Sequence, residues 1–332
     1  MTGRLRIPAE WERHEACWLG FPYLAVEWPG TLRRAQRSIA DLCRAIAGPG
    51  RELVRLLVRD EQVEATARAL IGDMKDVEYV RAEYGDSWLR DTAPLFGFDE
   101  NGALGALRFD FNCWGGKYTI PFDDVLGDRL AERLHARLFR SRFTLEGGAL
   151  EFDGRGTFLT TESCVLNENR NPGLSREAFE ESLRDLLAIE RLVWLEGGLA
   201  HDHTDGHVDM IARFCAPNRV VCMRPEKRAP NAEVLGSIVK QLRDAGFEIV
   251  ELPPAPALQT EDGAPLPGSY CNFYVANAAV IVPTYGVRED SAVLERIAEA
   301  FPGREVIGLP GYDLLCGGGA FHCATQPQPA SA

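Results

Sequence analysis

Near its C-terminus the chain reads Cys316-Gly-Gly-Gly-Ala-Phe-His-Cys323. Three successive glycines cost backbone entropy, so such a run marks a sharp bend or a place that something must approach closely. A cysteine just beyond it is a candidate nucleophile, and the plainer alternative is a tail that carries a buried cysteine. If residues 321–324 are extended, His322 points away from Cys323 and is a poor base for it. Gly206-His-Val-Asp-Met supplies another base. On a strand, His207 and Asp209 project from one face while Val208 and Met210 face the other way, which lines one wall with an imidazole and a carboxylate. A buried histidine beside a surface aspartate is the bland alternative.

The longer run His201-Asp-His-Thr-Asp-Gly-His207 also raises a zinc hydrolase. Three histidines two and four apart would have to face one way, and no second His/Asp/Glu cluster of that density occurs, so no metal is expected. Asp86-Ser-Trp-Leu-Arg-Asp-Thr-Ala-Pro is too irregular for a clean helix or strand. It reads either as a turn with a structural Arg–Asp pair or as a site. In the second reading Asp91 accepts two parallel hydrogen bonds from a planar guanidinium, and Trp88 offers its face to a cation. Phe111-Asn-Cys-Trp-Gly-Gly-Lys and Leu145-Glu-Gly-Gly add further glycine-flanked polar positions.

Elements able to carry these residues alternate along the chain. Helical periodicity covers 31–47, 61–71, 124–138, 175–188, 231–245 and 289–301, and strand-like runs include 52–58, 145–161 with a hairpin at Asp-Gly-Arg-Gly, 192–195, 207–214, 220–223, 247–252, 270–282 and 305–307. The class is α/β. About five times the chain passes through a polar or glycine-rich start, a hairpin, a helix and another strand; the starts are Asp86, Leu145, Thr204, Gly268 and Gly317. That rhythm suggests modules around a common centre, each contributing to one site. A two-domain split would need the proline-rich stretch 252–267 as linker, and it reads equally well as a surface loop.

Composition narrows the classes. The 332 residues, 45% apolar and 26% charged, suit a core-forming protein and not a disordered one. A formal charge of −13 disfavours nucleic acid and suits a cationic ligand. No apolar stretch is long enough to span a bilayer and the first residues lack the apolar core of a secretion signal, so a cytoplasmic location is expected. Nine scattered cysteines without a C-x-x-C pair point to neither a disulfide framework nor a zinc ribbon.

Taken in order, seven segments resemble the agmatine deiminase family of guanidine-modifying enzymes. They begin at Pro8-Ala-Glu-Trp-Glu-Arg-His, Asp86-Ser-Trp, Phe111-Asn-Cys-Trp, Leu145-Glu-Gly-Gly, Leu166-Asn-Glu-Asn-Arg-Asn-Pro, Thr204-Asp-Gly-His-Val-Asp and Gly317-Gly-Gly-Ala-Phe-His-Cys. The resemblance implies a single domain over 1–332 built as a fivefold pseudosymmetric α/β propeller, and deimination of a small guanidine with agmatine first. It gives Cys323 as nucleophile, His207 as acid and base, and Asp91 with Asp209 as the guanidinium clamp. Glu146 would orient His207 or touch substrate; Asp86, Trp88, Trp114 and Gly318 are expected to line the pocket. No cofactor, nucleic acid or membrane partner is implied, and a homo-oligomer stays open. Relative to the family pattern, His203 stands where an acid is usual, Met210 replaces a polar residue and Ala320 an asparagine, which leaves the identity of the guanidine open. Deimination of another small guanidine or of peptidylarginine, a metal hydrolase using His201, His203 and His207, and a non-catalytic guanidine-binding protein are the alternatives.

Overall fold

The computed structural model describes residues 3–226 and 229–331. Among them, five sheets of three or four strands follow one pattern: an antiparallel pair, then a parallel neighbour. The inner strand of each is Leu53–Val58 or His14–Gly20 in the first sheet, then Leu104–Asp110, Thr157–Thr161, Arg219–Met223 and Ala279–Thr284. A parallel pairing needs a crossover, and helices supply it: Leu32–Ala47 and Glu61–Ile71 in the first sheet, then Asp123–Arg133, Arg176–Leu186, Ala232–Asp244 and Glu289–Ala300. None of the sheets closes on itself.

Local chemistry explains the boundaries. Helix Leu32–Ala47 buries Ala35, Ile39, Leu42, Cys43 and Ile46, one stripe at helical spacing. Asp60 and Ser175 cap their helices by accepting from Val63 N and Ala178 N. The last strand, Thr325–Pro329, carries two prolines that cannot donate to a ladder; it lies at the edge of the first sheet, against His14–Gly20, and so ties the two ends of the chain together.

Three expectations are corrected. The helix anticipated over 124–138 ends at Arg133, because His135 takes a left-handed φ of 51° and residues 137–144 form a strand. The run 270–282 splits into Tyr274–Val275 and Ala279–Thr284 around a hairpin whose Asn277 side chain binds the His14 backbone. Residues 208–210 are a single 3-10 turn, and the strand begins only at Ala212. The proline-rich stretch 252–267 is a loop holding a small hairpin, Leu258–Gln259 against Pro265–Leu266.

The five polar segments found in the sequence each fall just before the first strand of a sheet, ahead of Leu95, Glu151, Ala212, Tyr274 and Thr325. A buried carboxylate, Glu10, ties four of the five modules together. It receives Arg90 Nη2 at 2.8 Å, Arg213 Nη2 at 2.9 Å and Val275 N at 2.9 Å, and its Oε2 lies 3.0 Å from His322 Nε2. Burial would raise its pKa, but Arg213, His322 and Arg90 outweigh burial and hold it well below the ordinary range. Removing one partner of such a network strands the others without compensation. Glu10→Ala is therefore expected to cost about 3–5 kcal/mol of unfolding free energy in urea titration; an unchanged midpoint would show that the two arginines are otherwise satisfied.

Candidate active site

Cys323 lies in a one-turn helix, Phe321–Ala324, directly after the glycine run. The run is needed for close approach: a Cβ on Gly319 would stand 2.8 Å from both Cys323 Cβ and the Trp88 ring, and Gly318, at φ 111°, passes beneath the His203 ring. The Cys323 thiol donates to Asp209 Oδ2 at 3.5 Å and accepts from Asn272 Nδ2 at 3.1 Å. Burial pushes its pKa well up, and Asp209 and Asp91 push further in the same direction, so the thiol keeps its proton in the free protein.

His207 is fully buried in the turn ahead of Ala212–Ala216. Its Nε2 faces Glu146 Oε2 at 3.3 Å, whereas Nδ1 stands 3.9 Å from Asp91 Oδ1 and makes no hydrogen bond. Burial would lower its pKa; Asp91, Cys164 and Glu146 outweigh that and hold the ring cationic, well above the ordinary histidine value. Glu146 in turn has burial working against its charge, but His207 and Arg170 keep it ionised. Arg170 Nε donates to both Glu146 oxygens, at 2.9 and 3.2 Å.

Asp91 and Asp209 complete the cluster. Asp91 accepts from Trp114 Nε1 at 2.9 Å and Gly148 N at 3.0 Å, and burial, opposed by His207, pushes its pKa up to about 6. Asp209 is fully buried; His322 Nδ1 at 2.7 Å overcomes the effect of burial and keeps it ionised, and its Oδ1 has no hydrogen-bond partner. The backbone of Gly148 lies at the centre. A Cβ there would stand 2.6 Å from His207 Nδ1, 3.0 Å from Asp91 Oδ1 and 3.1 Å from Asp209 Oδ2. An imidazolium and two carboxylates thus surround one point, with the thiol hydrogen-bonded to one of those carboxylates, and a planar cation with several N–H donors finds acceptors on two sides.

The family model described as Porphyromonas-type peptidyl-arginine deiminase matches residues 6–329. The chain belongs to this family. An agmatine deiminase of Pseudomonas aeruginosa is 36% identical over 355 residues, covering 98% of this chain and 95% of its own. Among solved structures, the agmatine deiminase of Enterococcus faecalis superimposes with a TM-score of 0.91 at 29% identity, covering 100% of this chain and 97% of that one. A variant C. jejuni agmatine deiminase with substrate bound gives 0.92 at 28%, covering 99% and 97%. Membership makes the protein a hydrolase acting on carbon–nitrogen bonds of amidines.

The remaining positions expected in the candidate site are placed as follows. Trp88 is buried against Gly319 and Trp28, 5.5 Å between rings. Trp114 links Asp91 to an edge-on cluster with Tyr118 and His203. Asp86 accepts from Trp28 Nε1 at 3.0 Å and from Ser87 N at 2.7 Å, which gives it a part in holding the Trp28–Trp88 wall. The strand alternation invoked for His207 and Asp209 is corrected: the 3-10 turn, not a β face, brings both inward. His201, His203 and His207 do not converge. His201 is exposed and His203 packs on Trp114 and Tyr118. Among the described residues, the His/Cys/Asp/Glu group with metal-ligand spacing is Glu146, Cys164 and His207, and there Arg170 already occupies both Glu146 oxygens.

Three residues of this site escaped the sequence reading. Asn272 lies in the fourth polar segment, whose rhythm was visible but whose side chain was assigned nothing. Arg170 sits within Leu166-Asn-Glu-Asn-Arg-Asn-Pro, one of the segments that carry the resemblance. His322 was set aside as a base for Cys323, and it does turn elsewhere: its two nitrogens face Asp209 and Glu10. Gly148→Ala tests the central position. The methyl group would occupy the space between His207, Asp91 and Asp209, so kcat/KM for a guanidine should fall by roughly 10²-fold or more, with some loss of thermal midpoint from the clash with the buried His207 ring; full activity would place the reacting centre elsewhere.

Proposed function

We propose that this protein hydrolyses the guanidinium group of a small cationic substrate, agmatine first, to the ureido product N-carbamoylputrescine and ammonia through a covalent intermediate on Cys323. The observation that carries the reading is the convergence of the Cys323 thiol with Asp91, Asp209 and a cationic His207. Relatives named agmatine deiminases, matched over nearly the full chain, support agmatine over other guanidines.

The steps follow from the charges. The substrate's guanidinium docks between Asp91 and Asp209 and offsets the two carboxylates that hold the thiol protonated. The thiol releases its proton to solvent, and Sγ forms a bond to the guanidinium carbon. Collapse of the tetrahedral adduct breaks a terminal C–N bond, and His207 gives the proton that lets the nitrogen leave as ammonia. The carbon is then held as an amidino-thioether on Cys323. Neutral His207 takes a proton from water as the oxygen adds to that carbon; cleavage of the C–S bond, with the hydroxyl proton passing back to Sγ, returns the thiol and leaves the urea. Glu146 and Arg170 keep the His207 ring oriented, its Nδ1 toward the substrate.

The wider reading places the five modules as a fivefold pseudosymmetric α/β propeller in a single domain spanning 1–332, with one polar segment from each module at the axis. The five equivalent sheet patterns and the position of each segment ahead of a first strand support it. Among the described residues no helix is long and apolar enough to cross a membrane, which agrees with a small-molecule enzyme of the cytoplasm.

Ureido-product formation is measured against agmatine, arginine, blocked peptidylarginine and other small guanidines, with Cys323→Ala as control. Turnover of agmatine that vanishes in the variant is expected; turnover of a different guanidine would keep the chemistry and change the substrate, and no Cys323-dependent turnover of any would leave a binding protein. The pH profile gives a second check. Asp91 must be ionised to hold the guanidinium, and its carboxyl is pushed up to about 6. As pH falls through that value the carboxylate is lost, so kcat/KM should decline below about 6. A profile flat from pH 7 to 5 would contradict Asp91 as part of the clamp.

A further inference from the structure

We propose that the end of the first sheet away from Cys323 carries a second binding site, an arginine-lined groove that takes the phosphoryl group of a small anion. The groove, of about 440 Å³, is lined by Trp11, Arg13, Glu15, Arg51, Asn277 and Arg304 together with His14 and Leu53. Strand His14–Gly20 fixes its place. Leu19 pairs with Thr325, two residues after Cys323, whereas His14 pairs with Pro329 at the other end. Five residues of extended chain, roughly 16 Å, therefore separate the groove from the turn that holds the cysteine. Its three guanidiniums outnumber its one carboxylate, Glu15, on a protein whose formal charge is −13.

The walls are held by hydrogen bonds. Asn277 Oδ1 accepts from His14 N at 2.8 Å, its Nδ2 donates to His14 O at 3.0 Å, and Ala278 N donates to Gly50 O at 2.9 Å, which joins the hairpin at 276–278 to the first strand and to the loop ahead of the second. Arg304 Nε donates to Ala276 O at 3.0 Å and Nη2 to Trp11 O at 2.7 Å, so the plane of this half-buried guanidinium is set before any ligand arrives. Burial pulls its pKa down, and the carboxylates that oppose this are bonded elsewhere: Glu52 to Tyr274 O–H and Asn277 N, Glu10 to Arg90 and Arg213. Arg51 follows Gly50 at a left-handed φ of 51°, a conformation that favours glycine or asparagine. Surface arginines nearby are paired, Arg6 with Glu12 and Arg55 with Glu78. Among the described residues the side chains of Arg13 and Arg51 have neither a hydrogen bond nor an ion pair. A phosphoryl group suits this setting, since it carries about −1.5 to −2 at neutral pH and several acceptor oxygens for planar guanidinium forks. A single carboxylate would balance only half of the excess charge.

Isothermal titration calorimetry of the intact protein with inorganic phosphate and with pyrophosphate tests the site, at an ionic strength held constant with sodium chloride. Succinate serves as a carboxylate dianion for comparison. Arg13→Gln and Arg51→Asn are the variants, singly and together; asparagine accepts the left-handed backbone at 51, and both arginines lack partners, so thermal midpoint and turnover should stay at the wild-type values. The wild-type protein should bind pyrophosphate, more weakly as salt is raised, and each variant should lose about tenfold or more in affinity. Absence of phosphate and pyrophosphate binding in the wild-type protein overturns the proposal, as does an unchanged affinity in the double variant. Succinate bound as tightly as phosphate would overturn the phosphoryl class. None of these readouts depends on turnover, so the groove and the deimination reading stand or fall separately.

Discussion

The architecture depends on keeping a set of buried charges compensated. Glu10, Glu146, Glu151, Asp91 and Asp209 are all at most 8% exposed, and they meet Arg90, Arg170, Arg213, His207 and His322, which are nearly or fully buried too. Arg213 bridges Glu10 and Glu151, at 2.9 and 2.8 Å, and His322 bridges Glu10 and Asp209. Such pairs repay little of their desolvation as stability. What they give is a unique arrangement, because Glu10 and Arg213 are 203 positions apart and Asp209 and His322 are 113 apart. Hydrophobic packing among similar modules would tolerate slippage; a charge left without its partner would not.

That arrangement also sets the chemistry. The inner cluster is left with more negative than positive charge around the sulfur, since His322 hydrogen-bonds Asp209 from behind while Asp209 Oδ1 and His207 Nδ1 stay without hydrogen-bond partners. A cation completes this balance and an anion worsens it. In the proposed mechanism the same groups that suppress the thiolate in the free protein select the ligand whose charge permits it. A ligand without a delocalised positive charge would leave Cys323 protonated even if it fitted, so recognition and activation are one electrostatic event. The net charge of −13 agrees in sign with a cationic substrate but says nothing about where the cation binds.

Much of this was legible in the chain, and the failures share a cause. Helix 61–71 was read with its observed bounds because it has a capping Asp60 before it and Gly72, at φ 84°, after it. The five polar segments were visible because glycine and polar residues recur ahead of β-rich runs. Cys323, His207, Asp209, Asp91 and Glu146 were named and stand together. The reason given for two of them did not hold: Asp205 and Gly206 take positive φ values of 65° and 103°, so the chain enters His207 through a turn that strand periodicity cannot describe. Asn272, Arg170 and His322 act through partners from 24 positions away, Glu146 for Arg170, to the far end of the chain, Glu10 for His322. No local pattern reports such a contact, and an asparagine beside a strand looks like any turn residue until its partner is known.

The choice among nine cysteines makes the same point about acidity. Burial pushes Cys43, Cys215 and Cys271 up to about 12, and it pushes Cys323 up too. Judged by the resting thiol, nothing sets Cys323, the proposed nucleophile, apart. Its neighbours do. Cys43 has no charged group near it beyond Arg44, and Cys271 donates to the Ile211 carbonyl at 3.5 Å, a bond that ties it to structure. Cys164 comes closest, 4.0 Å from Glu146 Oε2 and on the Glu146 side of His207, but Glu146 and Arg170 lock that side. Cys323 alone lies against the acceptors that a guanidinium would neutralise. A reactive thiol is thus recognised in the resting protein by what would change around it on binding, and a cysteine already acidic there would have been the wrong one to seek.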